Sequence, residues 1–138
     1  MDLSPTLDWA ATRKHGVLIT LRRDGRAQSS DVVYAVIDGE IHISLTADRA
    51  KTKNMRRDPR VVFHITDPSS WSYASIDATV ELSEITTEPD DATSDALVAV
   101  YRAVAGEHDD WDEFRAAMIA EQRLVARLTP NSATGQIH

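Results

Sequence analysis

Residues 16–45 read GVLITLRRDGRAQSSDVVYAVIDGEIHISL, two Asp-Gly dipeptides set between apolar runs. Asp24-Gly25 and Asp38-Gly39 suit the positive φ angles of tight hairpin turns. The β-rich run Gly16 to Arg22 leads into the first, a second strand is expected from about Gln28 to Ile37, and Glu40 to Leu45 follows the second turn. In that last run Ile41, Ile43 and Leu45 alternate with His42 and Ser44, the period of a half-buried strand. An antiparallel meander of three strands is the expectation.

Working outward, Leu7 to Lys14 reads as a short helix that brings Leu7, Ala10 and Ala11 onto one face. Beyond the meander, Ala50, Lys51, Lys53, Met55 and Arg56 favour one short helix, closed at Asp58-Pro59 because the residue before proline avoids the helical region. Strands are then expected from Arg60 to Thr66 and from Trp71 to Leu82, separated by the turn residues Asp67-Pro68-Ser69-Ser70. Leu97, Val100, Tyr101 and Val104 fall at helical spacing before Gly106, and Asp110 with Glu113 forms a capping pattern for a second helix. Leu124 to Leu128 reads as a last strand, and residues 130–138 as a polar, disordered tail. The sum is one domain over residues 1–138, six strands and several helices: mainly β with helices, a small antiparallel barrel.

The 138 residues are 42% hydrophobic and 27% charged, the composition of an ordinary globular domain, and no run is apolar enough for a membrane helix. Without cysteine, disulfides, thiolate catalysis and Cys-ligated zinc are excluded. Nothing near Met1 has the pattern of a secretion signal, so a cytoplasmic location is expected. The net charge of −7 argues against nucleic-acid binding. Charge is nevertheless concentrated: residues 49–60 hold six basic side chains and one Asp.

That basic segment is the most informative candidate site. A partly buried phosphate needs charge-assisted donors, which Arg49, Lys51 and Thr52 at a helix start would supply; a solvated basic face is the alternative. Gln28, Ser44 and Thr46 carry groups able to bond a flat heterocycle, although spacing alone favours their facing water. Trp71 and Tyr73, on one face at one strand end, would wall a ring-binding cleft or pack in a core or interface. The five histidines show no metal-ligand spacing, and no Gly-x-Ser-x-Gly elbow, Walker loop or Rossmann fingerprint is present.

The order of hairpin strands, the segment from Arg49 through Lys51, Thr52, Asn54 and Pro59 to Val61, and Trp71-Ser72-Tyr73 opening a long strand resembles the F420-dependent flavin/deazaflavin oxidoreductases. These belong to the pyridoxamine-phosphate-oxidase-like superfamily. Leu97 to Tyr101 and Ala105 to Trp111 extend the resemblance over nearly the whole chain. It implies an FMN-binding-like split β-barrel homodimer that holds coenzyme F420 between subunits and passes a hydride to a small unsaturated acceptor. By the same resemblance Arg49, Lys51 and Asn54 would hold the coenzyme's phosphate and acidic tail, with Thr52 adding a donor. Gln28, Ser44 and Thr46 would face the deazaflavin, and Trp71 and Tyr73 would come from the partner. No side chain need be a catalytic acid.

Two other readings stay open. Arg127-Leu128-Thr129-Pro130 is similar to the Arg-Leu-x-Pro ending of FMN-dependent pyridoxamine-phosphate oxidases, but the aromatic and basic residues preceding that ending are absent, so it is taken as coincidental. A protein that only binds a cofactor or tetrapyrrole-like ligand in the same groove is the other.

Overall fold

The computed structural model describes residues 1–138, in the order α1 (Leu3–Ala10), β1 (His15–Leu21), β2 (Ala27–Val33), β3 (Ala35–Ile37), β4 (Glu40–Thr46), α2 (Ala50–Arg57), β5 (Arg60–Asp67), β6 (Ser72–Leu82), α3 (Ala92–Ala105), α4 (Trp111–Ala120) and β7 (Arg123–Gln136). Seven strands form one sheet in the order β2-β1-β5-β6-β7-β4-β3, with every pairing antiparallel. The edge strands β2 and β3 are separated in the chain by Tyr34 alone. A sheet whose two edges are one residue apart has to curl on itself, which makes it a barrel split at that corner.

Tyr34 is the first departure from the expected pattern, because residues 28–37 are not one strand. The Tyr34 N–H leaves the ladder to donate to the Lys14 carbonyl, and its hydroxyl donates to the Ala10 carbonyl at 2.6 Å. Its ring meets Phe63 edge-on, with centroids 4.9 Å apart. Burial pushes the phenol pKa up, against a smaller downward pull from Arg13. The corner depends on these distant partners, so strand propensity in the segment itself could not disclose it.

The first helix also lies earlier than expected. Pro5 is tolerated in its first turn, where no N–H is required, and the Thr6 hydroxyl donates to the Asp2 carbonyl. Residues 11–14 lie beyond its end.

The largest correction concerns the tail. β7 does not stop at Leu128 but runs 14 residues, pairing with β4 over its first half and with β6 to Gln136. Pro130 is accommodated at a bulge, where the register steps from Asp77↔Ser132 to Ala78↔Pro130 and leaves Asn131 as the extra residue. Further along, a Cβ at Gly135 would collide with the Tyr73 carbonyl oxygen, so only glycine allows the strands to come so close.

Alternation on β4 sorts two cores. Ile41, Ile43 and Leu45 point inside the barrel, into a cluster of 17 buried residues that includes Leu18, Phe63, Ile65 and Ile76. Outside β7, the α3–α4 hairpin closes a smaller cluster of Leu97, Val98, Val100, Phe114 and Val125. Both helices are capped: Asp91 accepts from the Ser94 N–H and, as the sequence suggests, Asp110 from the Glu113 N–H.

Candidate functional site

The basic segment folds as the expected helix, but its two faces have different work. Thr52, Asn54 and Met55 are buried, and Met55 joins the barrel core. The Thr52 hydroxyl donates to the Thr46 carbonyl at 2.8 Å, tying α2 to the end of β4. Asn54 is used completely inside the protein: its amide donates to Thr20 Oγ1 at 3.1 Å and to Gln28 Oε1 at 2.8 Å, and its oxygen accepts from Arg57. In this chain the Thr52 and Asn54 side chains hold α2 in place and have no donor left over for an anion. The reason is the helical period, which turns positions 52 and 55 inward while 49, 53 and 56 remain exposed.

Lys51 lies between these faces and is half-buried. It lines a groove of about 530 Å³ bounded by Asp31–Val33 of β2, Ser44 and Leu45 of β4, the inner side of the α3–α4 hairpin, and Arg123 at the start of β7. Val100, Tyr101, Val104 and Met118 give the helical wall its apolar surface. No carboxylate pairs with Lys51 or with Arg49. Burial chiefly, with the positive charges of Arg49 and Arg123 adding to it, lowers the Lys51 pKa from the usual lysine range. Lys51 and Arg123 therefore line one end of an apolar groove with Arg49 nearby, and of the three only Arg123 has a carboxylate partner, Glu121.

The other expected residues are distributed unevenly. Ser44 lines the groove, and its Oγ accepts from Arg123 Nη1 at 3.2 Å. Thr46 stands at the same strand end, opposite Arg123 in register. Gln28 is held against α2 by Asn54 and does not line the groove. Trp71 and Tyr73 do not line it either: Trp71 is 80% exposed and Tyr73 40%, with the Tyr73 ring stacked on His64. Arg127 pairs with Glu81 across β6 and β7.

Sequence reasoning missed Arg123, Asp31 and the hairpin wall. Arg123 was hidden by a strand boundary set one residue too late. The partnership of α3 and α4 with β2 and β4 is a long-range contact with no local signature. A second hollow, of about 430 Å³, lies over β1, β5, β6 and β7, but its one arginine, Arg60, is paired with Asp58. The unpaired Lys51 therefore selects its groove as the candidate site. No group of three or more His, Asp or Glu side chains is arranged to hold a metal ion.

A split antiparallel barrel with a helical hairpin on its flank and a groove with Lys51 at one end between them has the architecture of a flavin-type cofactor-binding fold. The chain belongs to the pyridoxamine 5'-phosphate oxidase family, whose model matches residues 7–136. Among solved structures it is similar to a conserved hypothetical protein from Mycobacterium tuberculosis, at 27% identity and a TM-score of 0.78 over 98% of this chain and 84% of that one. An F420 reductase superposes with a TM-score of 0.67 at 22% identity, covering 89% of this chain and 90% of that one. The heme storage protein HutZ from Vibrio cholerae superposes with a TM-score of 0.70 at 16% identity, covering 98% and 95%. One fold thus serves relatives whose names denote different ligands.

Proposed function

We propose that the protein is an F420-dependent oxidoreductase whose coenzyme lies in the groove beside Lys51. The observation that carries this reading is the half-buried, carboxylate-free Lys51 between Arg49 and Arg123, at the end of an apolar-walled groove. An unpaired ammonium in that position is costly until an anion neutralises it, so the residues present fit a phosphate. Arg49 and Lys51 would hold that phosphate, Ser44 would meet the ring system, and Val100, Tyr101 and Val104 would exclude water from one side of it. Bound coenzyme would supply the hydride; the protein's part is to orient the ring against the acceptor and keep water away. Lys53 and Arg56 on the same helix are exposed and do not line the groove, so they do not distinguish F420 from FMN, and the preference for F420 rests on the resemblance.

The second subunit of a homodimer would bring Trp71 and Tyr73 to the groove of the first. Both are large and exposed, and neither reaches the groove of its own chain. The test is a titration of the purified protein with F420 and, separately, with FMN, followed by quenching of tryptophan fluorescence. Tight F420 binding with weaker FMN binding supports the reading. Preference for FMN would move the chain to the oxidase-like use of the fold, and binding of neither would remove the coenzyme from the account.

A further inference from the structure

We propose that Arg123 is a positioning residue: it fixes the Ser44 hydroxyl as a hydrogen-bond donor into the groove, so that the ring edge bound there is one presenting a carbonyl oxygen or a ring nitrogen. The proposal rests on the reading above for the identity of the ligand, but the arrangement of Arg123 is a property of the free protein.

Arg123 reaches Ser44 from the neighbouring strand β7. Its Nε and Nη2 both donate to Glu121 Oε1, at 3.1 and 3.0 Å, while Nη1 donates to Ser44 Oγ at 3.2 Å. Glu121 offsets the guanidinium charge and locks its plane, which leaves Arg123 poorly suited to be a free anion ligand and well suited to be a fixed donor. A serine hydroxyl has one proton and two lone pairs. Accepting from a guanidinium occupies a lone pair and turns the O–H away from the positive charge. The Ser44 proton has no acceptor within the protein, and the hydroxyl lines the groove. Lys51, on the same lining, has only donors to offer. Ser44 and Lys51 thus present donors to a ligand in the groove, with Asp31 as the one carboxylate on the lining.

The backbone supports this geometry. Arg123 faces Thr46 in the β4–β7 register, and Ser44 faces Val125, so Arg123 and Ser44 lie diagonally on one face of the sheet. Diagonal neighbours on a face are within reach of a long side chain. Because α4 ends immediately before Glu121, the hairpin that walls the groove also sets where Arg123 begins its strand.

A double-mutant cycle tests the proposal with F420 and FMN as probes. Ser44→Ala and Arg123→Met should each weaken binding of whichever coenzyme the protein takes by about fivefold, the size of one net hydrogen bond. Their combination should weaken it by no more than the larger single loss, because either change removes the same oriented donor. The Arg123→Met loss should also persist at high salt, whereas a direct charge contact would fade with screening. Additive losses, or a loss that vanishes with salt, would show Arg123 acting by its own charge and overturn the proposal.

A second measurement needs no coenzyme. In the free protein the Arg123 guanidinium nitrogens should show slowed rotation by NMR, which Ser44→Ala should release at Nη1. Free rotation in the unaltered protein would overturn the proposal even if coenzyme binds. A held guanidinium in a protein that binds neither F420 nor FMN would instead remove the functional reading and leave the clamp standing.

Discussion

The barrel interior and the α3–α4 layer are both apolar clusters, yet one holds 17 buried residues and the other five. Inside the barrel, side chains from β1, β4, β5, β6 and β7 meet Tyr34 and Met55, so each is constrained from several directions. The hairpin rests on one patch of the outer sheet, and its inner side is left partly open as the groove. The contrast separates two tasks: the large core fixes strand register, while the small one sets the width of the groove.

Single substitutions sharpen that contrast. Phe63→Ala, at a fully buried ring that also meets Tyr34, should cost about 3–5 kcal/mol and lower the unfolding midpoint of the whole protein. Phe114→Ala, at the hairpin, should cost at most about 3 kcal/mol, the low end for such a truncation. Hydrogen exchange should quicken mainly in α3 and α4 and leave β5 and β6 protected. Equal acceleration in the barrel strands would join the two regions into one cooperative unit and break the distinction.

A smaller effect is expected at the start of α3. Asp91 accepts from the N–H groups of Thr87, Glu88 and Ser94 and from the Thr86 hydroxyl. Burial alone would raise its pKa, but these bonds together hold it down to about 2. Because the folded value lies below the unfolded one, this contribution is complete above the unfolded carboxylate range and is lost as pH falls from there through about 2. Asp91→Ala should cost about 1 kcal/mol as a lost helix cap and flatten that acid dependence. An unchanged acid-unfolding profile would mean the cap does not govern the hairpin.

Much of the barrel was legible because its signals are local. The Asp38-Gly39 turn, with both residues at positive φ, and the alternation from Ile41 to Leu45 stand in the structure as the sequence suggested. Asp58-Pro59 ends α2 where expected. What escaped depends on distant partners. Tyr34 bends the chain because of Lys14 and Ala10, and residues 129–136 become a strand because β6 extends to meet them. At the candidate site, composition marked the helix that carries Lys51, but it could not say which face turns inward. Lys51 and Ser44 accordingly reached the groove, while Thr52 and Asn54 went into the fold.

The central claim is that Lys51 receives the coenzyme's phosphate. Since the bound anion favours the charged ammonium, affinity should be full at neutral pH and fall as pH rises through the lowered Lys51 pKa. The most direct test compares binding of F420 with that of its phosphate-free deazaflavin nucleoside, in the unaltered protein and in Lys51→Ala. The account predicts that the unaltered protein strongly prefers F420 and that Lys51→Ala loses about 1.5–3 kcal/mol of F420 binding while its hold on the nucleoside barely changes. If both ligands lose affinity equally, or neither does, the phosphate does not lie at Lys51 and the claim is wrong.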